Sequence, residues 1–401
     1  MPAACDVLVI GAGPAGSACA QTLAREGFDV VLADRHEFPR DKVCGDGLIP
    51  DAHRALARLG VLDEVLARAR AATRVGCVGP GGGRVEVPAR LAVLPRRELD
   101  EILRQAALAA GARWLAPVKF DAPLLDDAER VAGARFTRPG GAVQTVKARW
   151  TVLATGAAAG PLAAAGVCTR KAPSGIALRG YVKHDAMAGR LGGLEVVWHR
   201  ALRGGYGWVF PSPGGVFNIG VGLTQRGTGA RHDDLNLRAL LDAFQRVHPP
   251  ARELMQGGAV LGPFKGAPLR CSLEGAHGSR PGLLVAGEAA GSTYQFTGEG
   301  IGKALETGML AAQAIAQGAD ASAQHVCARY EAALDALRPR FAAYEQANRI
   351  NHQPWLADLL VWRARRSPDL VRRLSGVLEE THDPGRLVTA GGILRLLLPM
   401  T

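Results

Sequence analysis

The chain has 401 residues, 48% of them apolar and 21% charged, enough for two or three units with buried cores at roughly 100–200 residues per domain. Only 5% of the residues are aromatic and none of the nucleic-acid-binding motifs is present, which excludes stacking platforms for bases. The net charge of +11 reads either as solubility or as attraction to an anionic ligand or a lipid surface.

In chain order, Asp6–Ile10 (DVLVI) is a short apolar run, as expected of a strand buried on both faces. Glycine-rich Gly11–Gly16 follows. Ser17–Glu26 then has helical character, with Gly27 as a C-cap, and Phe28–Ala33 is a second apolar run, so a βαβ unit is predicted. No basic segment precedes the first strand, so no signal peptide is expected. Leu94–Gly111 is an amphipathic helix, with Leu99, Ile102, Leu103 and Ala106 on one face. Trp150–Gly156 is another buried strand ending in a glycine turn. Between Gly175 and Thr224, short alternating runs such as Ile176–His184 and Leu194–His199 predict an antiparallel sheet. Leu283–Gly287 returns to the buried parallel type, and Gly302–Gly318 reads as a helix.

From about Ala321 the chain is predicted helical, with Leu370, Val371, Leu374, Val377 and Leu378 at helical spacing. The tail Ile393–Leu398 carries one charge, Arg395. It reads as a helix packed on the body, with a membrane-surface contact as the second reading. No uninterrupted run of about 18 apolar residues predicts a membrane span. The seven cysteines form no CxxC pair. Neither a structural metal site nor a disulfide framework is expected, and a reducing, cytoplasmic setting is.

Chemistry enters at Gly11-Ala12-Gly13-Pro14-Ala15-Gly16. Gly11 permits a tight turn out of the strand, Gly13 lets the backbone approach a pyrophosphate, and Gly16 allows close helix packing. The helix N-terminus presents N–H groups and a positive dipole end to the phosphates. Asp34 lies eighteen residues after Gly16, at the end of the second run, placed to accept hydrogen bonds from a ribose. Asp34-Arg35 suits FAD and NAD equally.

A later segment separates the two. Gly287-Glu288-Ala289-Ala290-Gly291, then Thr297-Gly298-Glu299-Gly300-Ile301, resembles the GD-containing segment of glutathione-reductase-type flavoproteins, with Glu288 where Asp is usual. The resemblance implies that Glu288 binds the ribityl chain of FAD. It also implies that Gly298, Gly300 and Ile301 bring a helix N-terminus to the pyrimidine end of the flavin, where a dipole stabilises the anionic reduced ring.

Pro39-Arg40-Asp41-Lys42-Val43-Cys44-Gly45-Asp46-Gly47 resembles the loop after the second strand in the geranylgeranyl reductase family. In that family a Lys-x-Cys-Gly segment runs beside the isoalloxazine, which makes Cys44 a candidate active-site residue and Lys42 and Gly45 cofactor contacts. Tyr206-x-Trp208-x-Phe210-Pro211 places three aromatics on one face of a strand. Such a stripe suits a sheet face packed on a core or the wall of an apolar cavity. With Gly220-x-Gly222 it resembles the YxWxFP…GxG signature of the same family. Arg96-Arg97-Glu98-Leu99-Asp100 is similar to the RxxxD helix start of the superfamily, with Arg96 toward the flavin and Arg97 as the neighbour able to substitute. By the same resemblance Val118 and Gly156 border the cofactor.

These matches run from Asp6 to about Gly308. They imply an α/β protein in which a Rossmann-type FAD-binding domain (1–70, 94–165 and 270–320) carries an inserted antiparallel-sheet substrate domain (71–93 and 166–269). A helical C-terminal segment (321–401) completes the chain. The FAD is expected to be non-covalent. The implied reaction is reduction of a C=C bond in an apolar, prenyl-like substrate, with electrons from NAD(P)H or a reduced carrier protein and with Cys44, Tyr206, Trp208 and Phe210 at the site. A single-component flavin monooxygenase is the alternative. Such enzymes usually carry a proline where this chain has Gln295, a departure that makes Gln295 a candidate for hydrogen bonding to flavin or substrate. A halogenase would need a WxWxIP segment, which is lacking. A third reading is a non-enzymatic FAD electron-transfer protein, and a substrate-sized cavity beside the flavin would separate it from both enzymes. The expected partner is a small apolar or anionic molecule, not a nucleic acid.

Overall fold

Two sheets and a helical C-terminal segment organise the chain in the computed structural model, which describes residues 4–224 and 236–397. Among these residues the first sheet has eight strands. Leu283–Val285, Val143–Leu153, Ala4–Ile10, Val30–Ala33 and Arg113–Leu115 run parallel in that order. Ser279–Arg280 flanks them on one edge, and Lys119–Leu125 and Val131–Thr137 form an antiparallel hairpin beside Val143–Leu153. Val7–Ile10 and Val30–Ala33 are buried throughout, as continuous apolar runs are in strands covered on both faces.

Helix Pro14–Arg25 follows the first strand directly. It starts three residues before the predicted Ser17, because Pro14 occupies the first helical position, where a missing N–H costs nothing. It crosses helix Ile301–Gln317 closely: a Cβ on Gly308 would overlap the Ala15 carbonyl oxygen. Helix Arg96–Ala109 buries Leu99, Ile102, Leu103 and Ala107, with Ala106 half-buried.

The second sheet has nine described strands. Its order is Ala259–Val260, Gly175–Lys183, Val216–Thr224, Gly205–Pro211, Leu194–Val197, Arg70–Val78, Arg84–Val93 and Gly47–Leu48, with Lys265–Leu269 also paired to Gly175–Lys183. It departs from the expected antiparallel sheet at one pair: Leu194–Val197 and Arg70–Val78 run parallel. Gly47–Leu48 pairs with Arg84–Val93, so the segment containing Cys44 leaves the first sheet and ends in the second. Residues 225–235 of the expected sheet segment, and Leu398 of the expected apolar tail, lie outside the described residues.

In the C-terminal segment, helix Ala323–Ala347 packs on helix Ile301–Gln317, and its Tyr330 hydroxyl donates to the Val285 carbonyl at 2.7 Å. Helices Pro354–Ala364 and Pro368–Leu378 lie on strand Arg84–Val93, burying Leu360, Val361 and Leu370 with Val85 and Val87. At about 1.5–3 kcal/mol per fully buried large apolar side chain, packing holds most of this layer, and the Ser375 hydroxyl adds a 2.6 Å hydrogen bond to the Pro88 carbonyl. The last described helix, Ala390–Leu397, buries Leu396 and exposes Leu394 and Leu397. No described helix is long and apolar enough to cross a membrane.

Candidate active site

The glycine loop closes against the end of strand Val143–Leu153. Gly11 has φ +104°, and a Cβ there would collide with the Ala154 carbonyl; one on Gly16 would collide with the Gly11 carbonyl. Gly13 caps the helix without a side chain. The space a Cβ would take there lies 3.7 Å from Arg40 Nη2 and 3.8 Å from Arg96 Nη2. Both guanidiniums converge on Asp100. Arg96 binds it through two hydrogen bonds of 2.7 and 2.9 Å, and Arg40 stands 2.9 Å from it. Two cations and a helix N-terminus therefore face one backbone gap, an arrangement suited to a diphosphate. Asp34 Oδ2 accepts the Ala12 N–H at 2.8 Å and Oδ1 the His36 N–H at 2.9 Å, so the acid also braces the glycine loop. The Val118 N–H donates to the Asp34 carbonyl at 2.8 Å, and exposed Arg35 borders the same opening.

The loop 39–47 is fastened to the second sheet. Arg179 pairs with Asp41 and donates to the Lys42 carbonyl at 3.0 Å, and Lys265 reaches Asp41 at 2.8 Å. Asn218 Nδ2 donates at 2.8 Å to both the Cys44 carbonyl and Asp46 Oδ2, to which the Tyr181 hydroxyl also donates. Asp46 is fully buried, and burial lifts its carboxyl to about 6. Burial also raises the Cys44 thiol, with Arg96 opposing, so this cysteine is a neutral thiol and not a thiolate nucleophile. Lys42 Nζ lies 3.8 Å from Glu288 Oε2, which joins the early loop to the late one.

In the late turn, Gly287 has φ +68° and donates its N–H to Thr307 Oγ1 at 2.9 Å. Glu288 is half-buried, and the space a Gly156 Cβ would take lies 4.0 Å from its Oε2. Gly300 caps helix Ile301–Gln317, and the Tyr206 hydroxyl donates to the Thr297 carbonyl. Tyr206, Trp208 and Phe210 form a continuous wall with ring centroids 6.2 and 6.4 Å apart. Gly45 and Gly47 leave room for Phe210, a Cβ on either coming within 3.3 and 3.5 Å of its ring. Trp208 Nε1 donates to Asn218 at 2.9 Å, so the wall and the Cys44 loop share one hydrogen-bond network.

One cavity of about 750 Å³ joins these parts. It starts at Gly11, Gly13 and Asp34, passes Cys44 and the three aromatics, and continues into an apolar end lined by Leu360, Val361, Leu374, Val377, Leu378 and Leu387. None of the six carried a motif; helical spacing marked Leu374, Val377 and Leu378, and nothing marked Leu360, Val361 or Leu387. Two expected site residues do not line this cavity. Arg97 is exposed and lines no part of the cavity, because Asp100 draws Arg96 inward and the next residue turns away on the helix. Gln295 is buried but does not border the cavity; its neighbour Phe296 does, stacked on Trp198 at 6.3 Å. Arg40 and Glu299 border the cavity although neither was expected as a site residue. Arg40 was one charge in a loop full of them. Glu299 stood inside the Gly298–Gly300 turn, where the glycines alone drew notice.

Residues 4–187 match the FAD binding domain family. The chain is 35% identical over 343 residues to the menaquinone reductase of Mycolicibacterium smegmatis, covering 78% of this chain and 76% of that protein. It is 31% identical over 312 residues to digeranylgeranylglycerophospholipid reductase 1 of Methanopyrus kandleri, covering 77% and 79%. The fold is that of a geranylgeranyl bacteriochlorophyll reductase-like protein from Thermoplasma acidophilum (TM-score 0.71, 23% identity, 99% and 96% covered). It is also that of the flavin-dependent brominase Bmp2 (TM-score 0.75, 18% identity, 98% and 97% covered). Fold and site thus define an FAD-dependent oxidoreductase. The chain belongs to the geranylgeranyl reductase family of these enzymes.

Proposed function

We propose that this enzyme reduces a C=C bond in a long apolar, prenyl-like chain. The observation that carries this reading is the unbroken cavity from the glycine loop, past the aromatic wall, to the apolar C-terminal helices. The relatives named above as reductases of menaquinone and of digeranylgeranylglycerophospholipid support the same substrate class.

In this reading the first sheet with its helices (1–70, 94–165 and 270–320) holds FAD, the second sheet (71–93 and 166–269) holds the substrate, and 321–401 closes the far end. Gly11, Gly13, Pro14, Ala15 and Gly16, with Arg40 and Arg96, would cradle the diphosphate. Asp34 and Arg35 would take the adenosine ribose, and Val118 and Gly156 would border the same half. Glu288, paired with Lys42, would take the ribityl chain, and Gly298, Gly300 and Ile301 the pyrimidine edge. The bound flavin, reduced by NAD(P)H or a carrier protein, supplies a hydride. Cys44 and Gly45 flank the reacting end, and Tyr206, Trp208 and Phe210 align the chain and exclude water.

Entry of such a substrate from a lipid surface is supported by the exposed Trp355, Trp362, Leu394 and Leu397. Trp355 and Trp362 sit on the side of helix Pro354–Ala364 opposite cavity-lining Ala357, Leu360 and Val361. Sedimentation with anionic vesicles tests this: the wild type pellets, and W355S/W362S stays in solution.

The reaction is tested by mixing anaerobic, dithionite-reduced enzyme with a polyprenyl quinone. After reoxidation of any quinol in air, fragmentation mass spectrometry should find a quinone whose prenyl side chain is richer by two hydrogens, with reoxidation of the flavin. A hydroxylated product formed only with NAD(P)H and oxygen would instead establish the oxygenase.

A further inference from the structure

Reducing a double bond consumes a proton as well as a hydride, and a second buried carboxyl, apart from the Cys44–Asp46 network, lines the cavity. Glu299 is 8% exposed and lines the cavity at the N-terminal end of helix Ile301–Gln317. Its Oε1 accepts the Gly302 N–H at 3.1 Å. Asp51, from helix Pro50–Arg58, meets the same residue from the other side: a Cβ on Gly302 would collide with its Oδ2. That oxygen is buried and receives no hydrogen bond, with Lys303 Nζ 3.7 Å away. Two buried carboxylates therefore flank one glycine.

The nearest cation, Lys303, is shared between Asp51 and two further carboxylates. Lys303 Nζ lies 2.6 Å from Glu306 and 2.8 Å from Glu380. Glu380 is also paired with Arg54 at 3.1 Å and Arg340 at 3.0 Å, both of whose side chains reach solvent. Tyr294 donates to Glu380 at 2.6 Å, and Tyr206 and Tyr344 face the cluster as neutral phenols. Burial and the neighbouring Asp51 charge push the Glu299 carboxyl upward, against smaller opposing pulls from the Gly302 N–H and then Lys303. Two carboxyls buried against the same glycine raise each other's affinity for a proton.

We propose that Glu299 stores the proton that the cavity reaction consumes and that Asp51 relays its replacement from the solvent-facing ion cluster. This rests on the alkene-reduction reading. The hydride adds to one carbon with its own electron pair. The π pair forms a C–H bond at the other carbon with the proton of Glu299, whose O–H pair stays behind as a carboxylate that regains a proton from water by way of Asp51. Because the acid form is the active one, turnover falls as pH rises through the Glu299 titration.

Infrared spectroscopy of the oxidised holoenzyme in H2O and D2O reads the proton without turnover. The carbonyl stretch of a protonated, exchange-sensitive carboxylic acid should be present at neutral pH, fade on the alkaline side, and lose its Glu299 component in the E299Q-minus-wild-type difference spectrum. In D51N the same band should fade at lower pH, since removing a neighbouring negative charge makes Glu299 easier to ionise. E299Q should lower kcat by about 10²-fold or more with KM changed far less, and lose the alkaline limb of the pH profile. Absence of the band in the wild type, or an E299Q-minus-wild-type difference with no lost component, overturns the assignment. So does a D51N titration that does not move, which also decides the matter should E299Q fail to fold. The band's behaviour is independent of substrate, so failure of alkene reduction with an intact Glu299 signal would reject the reaction and not the proton site.

Discussion

The two ends of the cavity are built on opposite principles. At the glycine loop the lining is backbone: Gly11, Gly13 and Gly16 are there because a side chain would collide with Ala154 or Gly11 carbonyls or fill the gap before Arg40 and Arg96. At the far end the lining is side chain, with Leu360, Val361, Leu374 and Leu378 converging from two helices on strand Arg84–Val93. A backbone cradle fixes its ligand by geometry that almost no substitution tolerates. A side-chain wall sets only volume and polarity, which many sequences satisfy. The first therefore selects one cofactor, and the second can be reshaped for different apolar chains.

The largest effect expected from this contrast comes from Gly11→Ala. The added methyl meets a positive φ and the Ala154 carbonyl together, so the loop must move. Flavin should be lost almost completely on purification, read as the ratio of flavin to protein absorbance. A yellow, fully loaded G11A protein would show that the cradle is less constrained than its geometry implies.

Next is Asp100→Ala. It removes the partner of Arg96 and Arg40 and leaves buried Arg96 unpaired. Breaking such a buried pair costs about 3–5 kcal/mol, which a urea titration would report as an earlier midpoint at unchanged slope. Flavin affinity should fall as well, since both guanidiniums lose their aim. Loss of stability with flavin binding intact would mean that Asp100 serves only the helix.

How far each end could be read in the sequence follows the same division. The cradle was legible because its residues are contiguous and each has one physical reason to be glycine. The Glu288 turn and the aromatic stripe were legible for similar reasons. The far wall was not: Leu360 and Leu374 look like any core leucines until helices near residue 360 are laid on a strand near residue 87. The polar network of Asp46, Tyr181 and Asn218 was likewise invisible, because its members come from three strands and loops whose pairing no local pattern fixes. The cavity-lining role of Phe296 was not legible either, because no local pattern says which residue after Tyr294 the turn directs to the cavity.

A smaller effect, confined to the far end, is expected of Leu360→Trp. The larger ring fills apolar volume without touching the cradle. KM for a long polyprenyl substrate should rise about tenfold, equivalent to about 1.4 kcal/mol, while a short prenyl analogue and the flavin spectrum are unaffected. Equal losses for long and short substrates would mean that the chain does not extend to this wall.

Arg97→Ala should do least of all, and for that reason it probes the cradle most cleanly. Arg96 and Arg97 are adjacent and chemically identical, yet only the first is drawn inward by Asp100, while the second stays exposed on the same helix. If geometry and not the local abundance of positive charge holds the cofactor, R97A should keep its flavin. Its stability should stay within about 0.5 kcal/mol of the wild type, as at other surface sites. A loss of flavin approaching that of Arg96→Ala would mean that long-range attraction from a basic surface outweighs directed contact. The cradle would then resemble the far wall more than its backbone suggests, being set by composition and not by position.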